Sequence, residues 1–538
     1  MRPPTPLIAV AVCLAVALPP TAASTAHSTS AAPTDTSTVV APPKPNIIFI
    51  HTDDLSPNLL PYMSALTGPQ GLAKSGATFR NYFVADSLCC PSRATILTGE
   101  MPHNTGIRTN TANDGDGGWP VFKRRGHEAR TYAVPLRRHG YRTGYLGKYM
   151  NGYTFAPGYK PPQGWDEWHV AGNGGYGHFN YKITRFVRGK VRTIDTMRRS
   201  PSDPDRTYIT DVLAKRAKDF VDRSGRRPFF LQISTFAPHS GGGQNGEPKF
   251  PPAVRDRPKS QGGELLHGDC GPAKCNEIRH PRTAAFNEDT GDKPWWVRRD
   301  PLTRSEINVI DRNFRNRVRM VQSVNDLIKG VLRSLTPAER RDTYVVFSPD
   351  NGFHLGEHRL LSGKGTAYDH DVRIPLIISG PGVRHRRIDK IAQNVDFYPT
   401  FLQMAGIRPP DDRDGQTLTG LLAGANPASW RKAALVEHKT ERPNRADPDL
   451  VLAARNTPAP TYNALRTLDA LLVDYAALGQ PVEFYDLDGR IGAQPDPLQL
   501  RNEPDWAPAQ LIVELQRMAV CGRPGRPGCW EESLSLSR

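Results

Sequence analysis

The 538-residue sequence lacks the features that mark several specialised classes of protein. It contains no internal repeat, and it shows no acidic or aromatic-poor bias of the kind found in disordered chains. Its 70 Lys and Arg residues are scattered and do not form one long basic run, and no nucleic-acid-binding module is recognisable. These absences favour a globular protein that does not bind nucleic acid.

The composition predicts a substantial core with many ordered loops. Hydrophobic residues make up 38% of the chain, which also contains 50 prolines and 47 glycines. The length is several times the roughly 100–200 residues of a typical domain, a range that large α/β enzymes exceed as one unit. The net charge of +16 suits an anionic partner, although a solvated basic surface explains it equally well.

The N-terminal residues resemble an export signal. Arg2 precedes an apolar run from Leu7 to Leu18, which is too short to span a bilayer, and small residues follow up to Ala23. We expect residues 1–23 to be a signal peptide and residues 24–44, rich in Ser, Thr, Ala and Pro, to be a flexible linker. The sequence thus predicts a secreted, extracellular protein with no stable membrane insertion.

Cysteine usage agrees with export. One of the seven cysteines lies in the signal-like segment, and the other six form three neighbouring pairs: Cys89 and Cys90, Cys270 and Cys275, and Cys521 and Cys529. Each of the last two pairs closes a short loop, so we predict two local disulfides in an oxidising compartment. A metal site is the alternative, but neither pair has a second Cys or His pair at zinc-finger spacing. The first pair remains without an obvious partner.

Two predicted strands end in oxygen-bearing side chains. The apolar run of residues 45–50 leads into Asp53 and Asp54, and the run of residues 343–347 leads into Asp350 and Asn351. Ligands of open α/β sheets bind at the carboxyl ends of strands, whereas an isolated Asp-Asp is more often a solvated turn or a helix cap. Together these four side chains form a hard, oxygen-only set that suits calcium or magnesium and is poor for zinc.

Residues 89–99 have the sequence CCPSRATILTG. The proline is expected to hold Cys90 in an extended conformation, and Ser92 to cap a helix that runs from Arg93 to Leu97 and is closed by Gly99. Cys89 would then lie where a loop becomes a helix N-terminus, with a guanidinium nearby. Helix-terminal amides and an arginine bind tetrahedral oxyanions. Two buried cysteines beside a turn are the alternative.

This string resembles the Cys-x-Pro-Ser-Arg-x-x-x-Leu-Thr-Gly element of the sulfatase family, the formylglycine-dependent branch of the alkaline phosphatase superfamily, and the match is complete. The resemblance implies that a formylglycine-generating enzyme oxidises Cys89 to formylglycine during maturation. It also implies a calcium ion held by the two strand-end pairs together with the side chain of residue 89. The residues of that metal site would be Asp53, Asp54, Cys89, Asp350 and Asn351.

Three further segments resemble sulfatase motifs. Lys148 in Gly-Lys-Tyr and Lys364 in Gly-Lys-Gly-Thr match the two lysines that contact the sulfate, and His239 in Ala-Pro-His matches the histidine that protonates the leaving group. Many members carry a histidine two residues after the first lysine, whereas this chain has Met150-Asn151. That departure is similar to the branch of N-acetylglucosamine-6-sulfatases and extracellular heparan sulfate endosulfatases.

The departure leaves open which group assists the final release of sulfate. Asn151 or another histidine is a candidate. His354 and His358 lie beside the Gly-rich segment that contains Lys364. We expect them to contact the substrate, to contact residues that themselves contact the substrate, or to lie on the surface.

The predicted architecture is α/β. A large domain, residues 45–426, is expected to have a mostly parallel central sheet flanked by helices, and residues 427–538 to form a smaller α+β subdomain with an antiparallel sheet. The resemblance implies an exported sulfatase that hydrolyses a sulfated glycan or a small sulfate ester, such as N-acetylglucosamine-6-sulfate or an aryl sulfate. The alternatives are a phosphatase or phosphonate monoester hydrolase of the same superfamily, and a catalytically silent glycan-binding protein.

The resemblance also implies a mechanism. Hydrated formylglycine at position 89 would attack sulfur, and Asp350 would take the proton of the nucleophile. Arg93, Lys148, Lys364 and calcium would hold the sulfuryl oxygens. His239 would protonate the departing alcohol.

Overall fold

A computed structural model describes residues 44–112, 115–155, 160–188, 191–241, 243, 246–441, 458–475, 481–490 and 496–536. The predicted signal peptide and all but the last residue of the predicted linker lie outside these ranges. None of the helices in these ranges is long and apolar enough to cross a lipid bilayer.

The described residues contain sixteen strands. In chain order they are β1 (Asn46–Thr52), β2 (Ala77–Phe79), β3 (Tyr82–Phe83), β4 (Arg142–Lys148), β5 (Glu167–Ala171), β6 (Tyr181–Val187), β7 (Val191–Met197), β8 (Phe229–Ser234), β9 (Thr343–Pro349), β10 (Leu376–Ser379), β11 (Arg386–Ile388), β12 (Ala392–Gln393), β13 (Ala433–His438), β14 (Tyr462–Thr467), β15 (Ala470–Asp474) and β16 (Glu483–Asp486).

The same residues contain fourteen α-helices and several 3₁₀ turns. The helices are α1 (Ser64–Thr67), α2 (Leu72–Ser75), α3 (Cys89–Thr98), α4 (Pro102–Thr105), α5 (Gly118–Arg124), α6 (Ala133–Arg138), α7 (Ile209–Ser224), α8 (Arg304–Ser334), α9 (Pro337–Arg341), α10 (Asp369–Val372), α11 (Phe397–Met404), α12 (Thr419–Leu422), α13 (Ala509–Met518) and α14 (Cys529–Ser535). The 3₁₀ turns are Pro57–Tyr62, His127–Ala129, Asn173–Gly177, Val254–Asp256, Lys259–Gln261, Asn394–Asp396 and Pro504–Trp506.

Ten of the described strands form one sheet in the order β11-β2-β10-β9-β1-β8-β4-β5-β6-β7. Its centre, from β9 to β5, is parallel throughout, and β10 and β6 pair antiparallel at either side of that centre. This confirms the predicted α/β class with a mostly parallel sheet. The carboxyl ends of β9, β1, β8 and β4 therefore lie side by side at one edge.

The central strand β1 is buried on both faces, and its alternating side chains supply two separate cores. Ile47 and Phe49 pack in the cluster that contains Phe397 and Phe401 of α11. Ile48 and Ile50 point the other way, into the cluster formed with α7 and α8. A continuous apolar run is what such a strand requires, because neither face meets water.

Helix α8 is the longest helix in the described residues, and its start carries the sequence signal that predicts a capping box, Thr303 followed three residues later by Glu306. The Thr303 side chain accepts from the backbone N–H of Glu306, and the Glu306 carboxylate accepts from the backbone N–H of Thr303. These reciprocal bonds satisfy two donors that a helix start otherwise leaves free. The capping box is confirmed, and it fixes the start of a helix that runs across one face of the sheet.

A second sheet contains β13, β14, β15 and β16, each antiparallel to the next. Its apolar face packs with α13: Leu435, Leu465 and Leu472 share a buried cluster with Leu515 and Met518. This is the antiparallel sheet with a packed helix that was predicted near the C-terminus. The boundary at residue 426 stays a prediction, since Lys44–Arg538 form one compact unit by their contacts.

Both predicted disulfides are present in the described residues: Cys270 bonds to Cys275, and Cys521 bonds to Cys529. Cys89 and Cys90 are buried and not disulfide-bonded. The bonded cysteines are five and eight positions apart in the sequence, so both disulfides close short loops as predicted.

Candidate active site

The predicted site residues converge at the carboxyl edge of the parallel strands. Asp53 and Asp54 follow β1, and Asp350 and Asn351 follow β9. Lys148 ends β4, and His239 follows β8 after a short loop. Because these four strands are neighbours, residues separated by almost 300 positions come within hydrogen-bonding distance.

Cys89 is the first residue of α3, and every residue of this helix is buried. The predicted start at Arg93 is wrong: Leu88 is the extended residue before the helix, and Cys90 is helical. Pro91 fits because a proline in the first helical turn removes a backbone N–H that has no intrahelical partner. Ser92 lies inside the helix and donates to the carbonyl oxygen of Asp350 at 2.5 Å instead of capping.

The predicted end of the helix is confirmed. Gly99 follows α3 in the left-handed conformation with φ of 71°. A Cβ at this position would lie 2.7 Å from the Cβ of Tyr398, so both the backbone conformation and the space require glycine.

The Cys89 side chain lies between two lysines. Lys148 Nζ is 3.0 Å from Cys89 Sγ and Lys364 Nζ is 2.9 Å from it, while Asp53 Oδ1 accepts from the thiol at 3.4 Å. Burial raises the pKa of the Cys89 thiol, and Asp53 raises it further, whereas the two lysines oppose the change. Two ammonium groups on one side-chain atom form a pocket for the oxygens of an anionic ester.

The predicted metal-binding residues are three carboxylates, one amide and Cys89, and the structure brings them together. Ligand atoms of Asp53, Asp54, Cys89 and Asp350 all lie within 4.8 Å of one another, and the four residues are buried. In the described part of the chain, Asp54 Oδ2 and Asn351 Oδ1 are buried and have no hydrogen-bond partner. Acceptor oxygens without donors, among carboxylates, fit a hard cation such as calcium.

Arg93 and Asp350 form a fully buried ion pair. Arg93 Nε donates to Asp350 Oδ2 at 2.8 Å, and Arg93 Nη1 donates to the carbonyl oxygen of Lys148 at 3.0 Å. Burial alone would raise the pKa of Asp350, but Arg93 and Lys148 outweigh it and hold that pKa well below its usual range. Burial raises the pKa of Asp53 to about 6 against the attraction of Lys148.

Backbone geometry fixes how the two strand-end pairs, Asp53-Asp54 and Asp350-Asn351, meet. Asp54 has a positive φ of 57°, which few residues other than glycine adopt, and its N–H donates to Asp350 Oδ1 at 3.1 Å. Such conformations cost energy and concentrate at functional sites.

His239 lies buried against the same cluster. Its Nδ1 donates to the carbonyl oxygen of Ser240 at 2.8 Å, and since a carbonyl only accepts, Nδ1 carries the ring proton. Its Nε2 is 3.5 Å from Asp54 Oδ2. The ring therefore presents Nε2 to the site, which is the orientation that a proton donor to a leaving group requires once Nε2 is protonated.

Tyr176 is a site residue that the sequence analysis missed. It lies in the 3₁₀ turn between β5 and β6; its ring centre is 4.7 Å from that of His239, and Lys148 Nζ is 4.9 Å from its centre. Its hydroxyl donates to Asn151 Oδ1 at 2.8 Å. Tyr176 thus links Asn151 to both functional residues. One aromatic residue in a Gly-rich stretch carried no sequence signal for this.

Arg317 was also missed. It lies on α8, is buried, and donates from Nη2 to the carbonyl oxygen of Asp54, while Phe353 packs against the guanidinium with its ring centre 4.1 Å away. Burial lowers the pKa of Arg317 to about 10. A signal existed: position 317 falls in the helical stripe of Ile310, Phe314 and Val321, where an apolar residue is expected.

His354 supports the loop that carries Lys364, whereas His358 contacts residues outside that loop. His354 pairs through its backbone with Gly363, and its Nδ1 is 3.0 Å from Asp371, which also accepts from Thr366. His358 contacts Glu288 and the ring of Tyr368. Both histidines are buried, so the expectation of a surface location is wrong.

The fold and the site define a class of protein. A parallel sheet presents an acidic cluster that could hold a cation at its carboxyl edge, next to a helix-terminal side chain contacted by two lysines, with Arg93 paired to Asp350 of the same cluster. This arrangement suits a metal-assisted hydrolase of sulfate or phosphate esters.

The sulfatase family model matches residues 45–407, which is more than half of the chain, and the chain belongs to the sulfatase family. It is a sulfuric ester hydrolase. The N-acetylglucosamine-6-sulfatase of Homo sapiens is 32% identical over 418 residues, which cover 75% of this chain and 69% of the human one.

Two solved structures share the fold. A protein in complex with its substrate D-glucosamine-2-N,6-O-disulfate superposes with a TM-score of 0.60 at 22% identity, covering 88% of this chain and 96% of the other. A phosphonate monoester hydrolase from Silicibacter pomeroyi superposes with a TM-score of 0.57 at 19% identity, covering 88% and 94% of the two chains.

Proposed function

We propose that this protein is an exported sulfatase that removes sulfate esters from amino sugars, with formylglycine at position 89 and a calcium ion. The observation that carries this proposal is the arrangement of Lys148 and Lys364, each within 3.0 Å of the Cys89 sulfur. The complete Cys-x-Pro-Ser-Arg string supports modification of that cysteine. The signal-like N-terminus and the two disulfides support export.

The residues of this chain have separate tasks in the proposed reaction. Lys148, Lys364 and Arg93 would hold and neutralise the sulfuryl oxygens as charge develops in the transition state. His239 would donate the proton of its Nε2 to the departing sugar oxygen. Asp350 would accept the proton of the nucleophile, and Asp53, 3.4 Å from the side chain of residue 89, is next to the same proton.

Two groups would complete the site. Formylglycine at position 89 supplies, in its hydrated form, one hydroxyl to attack sulfur and a second that allows sulfate to be released. Asp53, Asp54, Asp350 and Asn351 would hold the calcium ion, which supplies positive charge to a sulfate oxygen. The unpartnered oxygens of Asp54 and Asn351 support this assignment.

Sugar 6-sulfates are the proposed substrate class. The human relative is named for N-acetylglucosamine-6-sulfate, and the solved structure with the similar fold holds a glucosamine that is sulfated at N2 and O6. Asn151 belongs to the segment after Lys148 in which this chain resembles the amino-sugar branch and departs from many other sulfatases. The Tyr176 hydroxyl donates to the Asn151 side chain, and the Tyr176 ring lies against Lys148. A small aryl sulfate is expected to be hydrolysed as well.

The first prediction tests the nucleophile with a matched pair of variants. Cys89→Ala is expected to abolish release of sulfate from N-acetylglucosamine-6-sulfate, whereas Cys90→Ala, which changes an equally buried neighbour, retains it. In protein secreted by its own host, the tryptic peptide with both cysteines should weigh about 18 Da less than the thiol form, with fragmentation placing the loss at residue 89.

Chelation should stop turnover and calcium should restore it.

Further measurements on the same protein separate the alternatives. A phosphonate monoester hydrolase of similar fold makes phosphorus esters the second candidate, and a higher kcat/KM for the phosphate or phosphonate analogue than for the sulfate ester would favour it. An unmodified Cys89 together with glycan binding but no sulfate release would favour a silent binding protein. Equal activity of Cys89→Ala and wild type contradicts the proposed mechanism.

A further inference from the structure

A cavity of about 510 Å³ lies at the far edge of the central sheet and is lined mainly by arginines. We call it the arginine pocket; its residues are Arg142, Asp166, Glu167, Val187, Arg188, Arg223 and Arg227. The proposed reaction uses none of them. Four guanidinium groups therefore share one hollow outside the candidate active site.

Positive charge exceeds negative charge in the arginine pocket. Glu167 contacts both Arg142 and Arg223, and Asp166 contacts both Arg188 and, from outside the pocket, Arg137. Glu167 also accepts from His169 at 3.2 Å. Four guanidinium groups thus contact the two carboxylates, and Arg227 adds a fifth positive charge to the hollow. Planar guanidinium groups in this number favour a bound oxyanion.

Burial strengthens the argument for an anion. The Arg142 side chain is only 10% exposed, whereas Arg188 is 63% exposed at the rim. Burial lowers the pKa of Arg142; Glu167 opposes that change, and the charges of Arg223 and Arg227 add to it. An anion entering the hollow would relieve this repulsion on the buried Arg142.

The arginine pocket is distant from the candidate active site. Arg142 begins β4 and Lys148 ends it, so the two sites lie at opposite edges of the sheet. Six residues of a strand span ~20 Å. A sulfate in the arginine pocket therefore does not belong to the sugar that reacts beside Cys89.

A second hollow of about 510 Å³ continues the arginine pocket. The two share Val187 and Arg223, and the second adds the basic side chains of Arg185, Arg206, Lys215 and Arg216 against Asp211 and Asp219. Two adjoining hollows with repeated positive charge suit a chain that carries anionic groups at intervals, more than a single free ion.

We propose that the arginine pocket and its adjoining hollow bind the sulfate or carboxylate groups of an acidic polysaccharide. This inference rests on the proposed function in one respect, since the polymer is taken to be of the class that carries sulfated sugars. The bound segment would tether the enzyme to a chain whose reacting unit lies elsewhere.

The test measures binding of a sulfated heparin-type octasaccharide by calorimetry at one fixed salt concentration, in the Cys89→Ala background so that no ligand is consumed. The variant Arg188→Ser/Arg227→Ser removes two exposed groups of the pocket. The control Arg523→Ser/Arg526→Ser removes two exposed arginines in the loop closed by the second disulfide, with the same change in net charge. Inorganic sulfate and a DNA duplex serve as comparison ligands.

The pocket variant is expected to raise the octasaccharide Kd about tenfold, and the control less than twofold, because charge-assisted hydrogen bonds are lost only in the former. With Cys89 intact, kcat/KM for a small aryl sulfate should stay unchanged in both. Four results would each overturn the proposal. The octasaccharide does not bind, or both variants weaken its binding equally. Inorganic sulfate saturates the site with no preference for the octasaccharide, or the pocket variant shows the same tenfold loss with DNA. Binding is read without turnover, so it can succeed even if no sulfate ester is hydrolysed.

Discussion

His239 shows how single residues divide the work of the site. Its Nδ1 is committed to the Ser240 carbonyl, and its Nε2 faces the acidic cluster. We predict that His239→Ala lowers kcat/KM for a sugar sulfate by about 10²–10⁴-fold, because an alcohol leaves poorly without a proton. An aryl sulfate with an acidic phenol should lose less than about tenfold, since a phenolate leaves unassisted. Steady-state kinetics on both substrates measure the difference.

The two substrates serve as each other's control, because both require the same fold and the same sulfate contacts. A thermal unfolding scan of the His239→Ala variant checks that the buried site has not collapsed. Equal losses on sugar and aryl sulfate would contradict a proton-donor role and assign His239 to binding the sulfate.

At the scale of single residues, the sequence predicted site residues that belong to short motifs and missed site residues that belong to none. Asp53 and Asp350 could be predicted because each follows a recognisable apolar strand. Tyr176 could not, because its contact with His239 depends on how a turn packs at the sheet edge. For Arg317 the helical stripe signals a buried arginine, but the sequence does not show that this arginine donates to the Asp54 backbone. The helix start at Cys89 was missed for a related reason: Leu88 has no capping side chain, and burial of the whole helix replaces the cap.

At the scale of elements, strand β4 positions Lys148 through a close approach to β8. Gly147 has φ of 97°, and a Cβ there would lie 1.9 Å from the carbonyl oxygen of Ser234. Gly147→Ala should therefore lower kcat/KM by about 100-fold, because displacing Lys148 by even 1 Å misplaces a sulfate contact. Gly140→Ala is the matched control, since Gly140 has φ of 91° but no atom within 4 Å of an added Cβ.

Both substitutions carry the conformational cost of a positive φ, roughly 1–2 kcal/mol for an L residue. Only Gly147→Ala adds a steric overlap with backbone. Denaturant unfolding should show a loss of this size for Gly140→Ala with kcat/KM unchanged. If both variants lose activity to the same degree, the backbone conformation and not the β4–β8 contact would be the cause.

The 3₁₀ turn Val254–Asp256 predicts a pH dependence of stability. Burial raises the pKa of Asp256 to about 8, well above its value in an unfolded chain, although Arg255 opposes the shift. The folded state thus binds the proton more tightly, so this contribution to stability is complete at pH below about 4 and is lost as the pH rises through 8. Asp256→Asn should raise the Tm relative to wild type more at pH 9 than at pH 5. An equal difference at both pH values would contradict the shift.

Elements were predictable where one strong pattern dominated. The buried strands β1, β8 and β9 show continuous apolar runs, and α8 shows a capping box with helical periodicity. The hairpin of β6 and β7 was missed because residues 173–199 look polar and Gly-rich. Much of β7 is exposed, so its pattern carries little hydrophobic signal.

At the scale of the whole molecule, buried polar contacts join the C-terminal sheet region to α10, to the residue before α10 and to the 3₁₀ turn Asn394–Asp396. Arg466 of β14 pairs with Asp369 of α10, with contacts of 2.8 and 3.0 Å, and both side chains are buried. Arg431 pairs with Asp396 at 2.7 Å, and Glu483 of β16 accepts from Tyr368 at 2.8 Å. Breaking a buried pair by removing one partner typically costs about 3–5 kcal/mol. The C-terminal sheet is therefore part of the framework that holds the Lys364 loop.

This coupling predicts one cooperative unfolding transition for residues 44–538. Calorimetry should give a single peak, because the C-terminal sheet region cannot unfold without exposing the buried charges of Asp369 and Asp396. A chain ending at residue 426 should fail to fold, since Asp369 and Asp396 would lose buried arginine partners. Arg466→Met, which keeps volume but leaves Asp369 short of a partner, should lower the Tm of the single peak without splitting it. Two resolved peaks, or a folded and active chain ending at residue 426, would show instead that the predicted boundary separates independent domains.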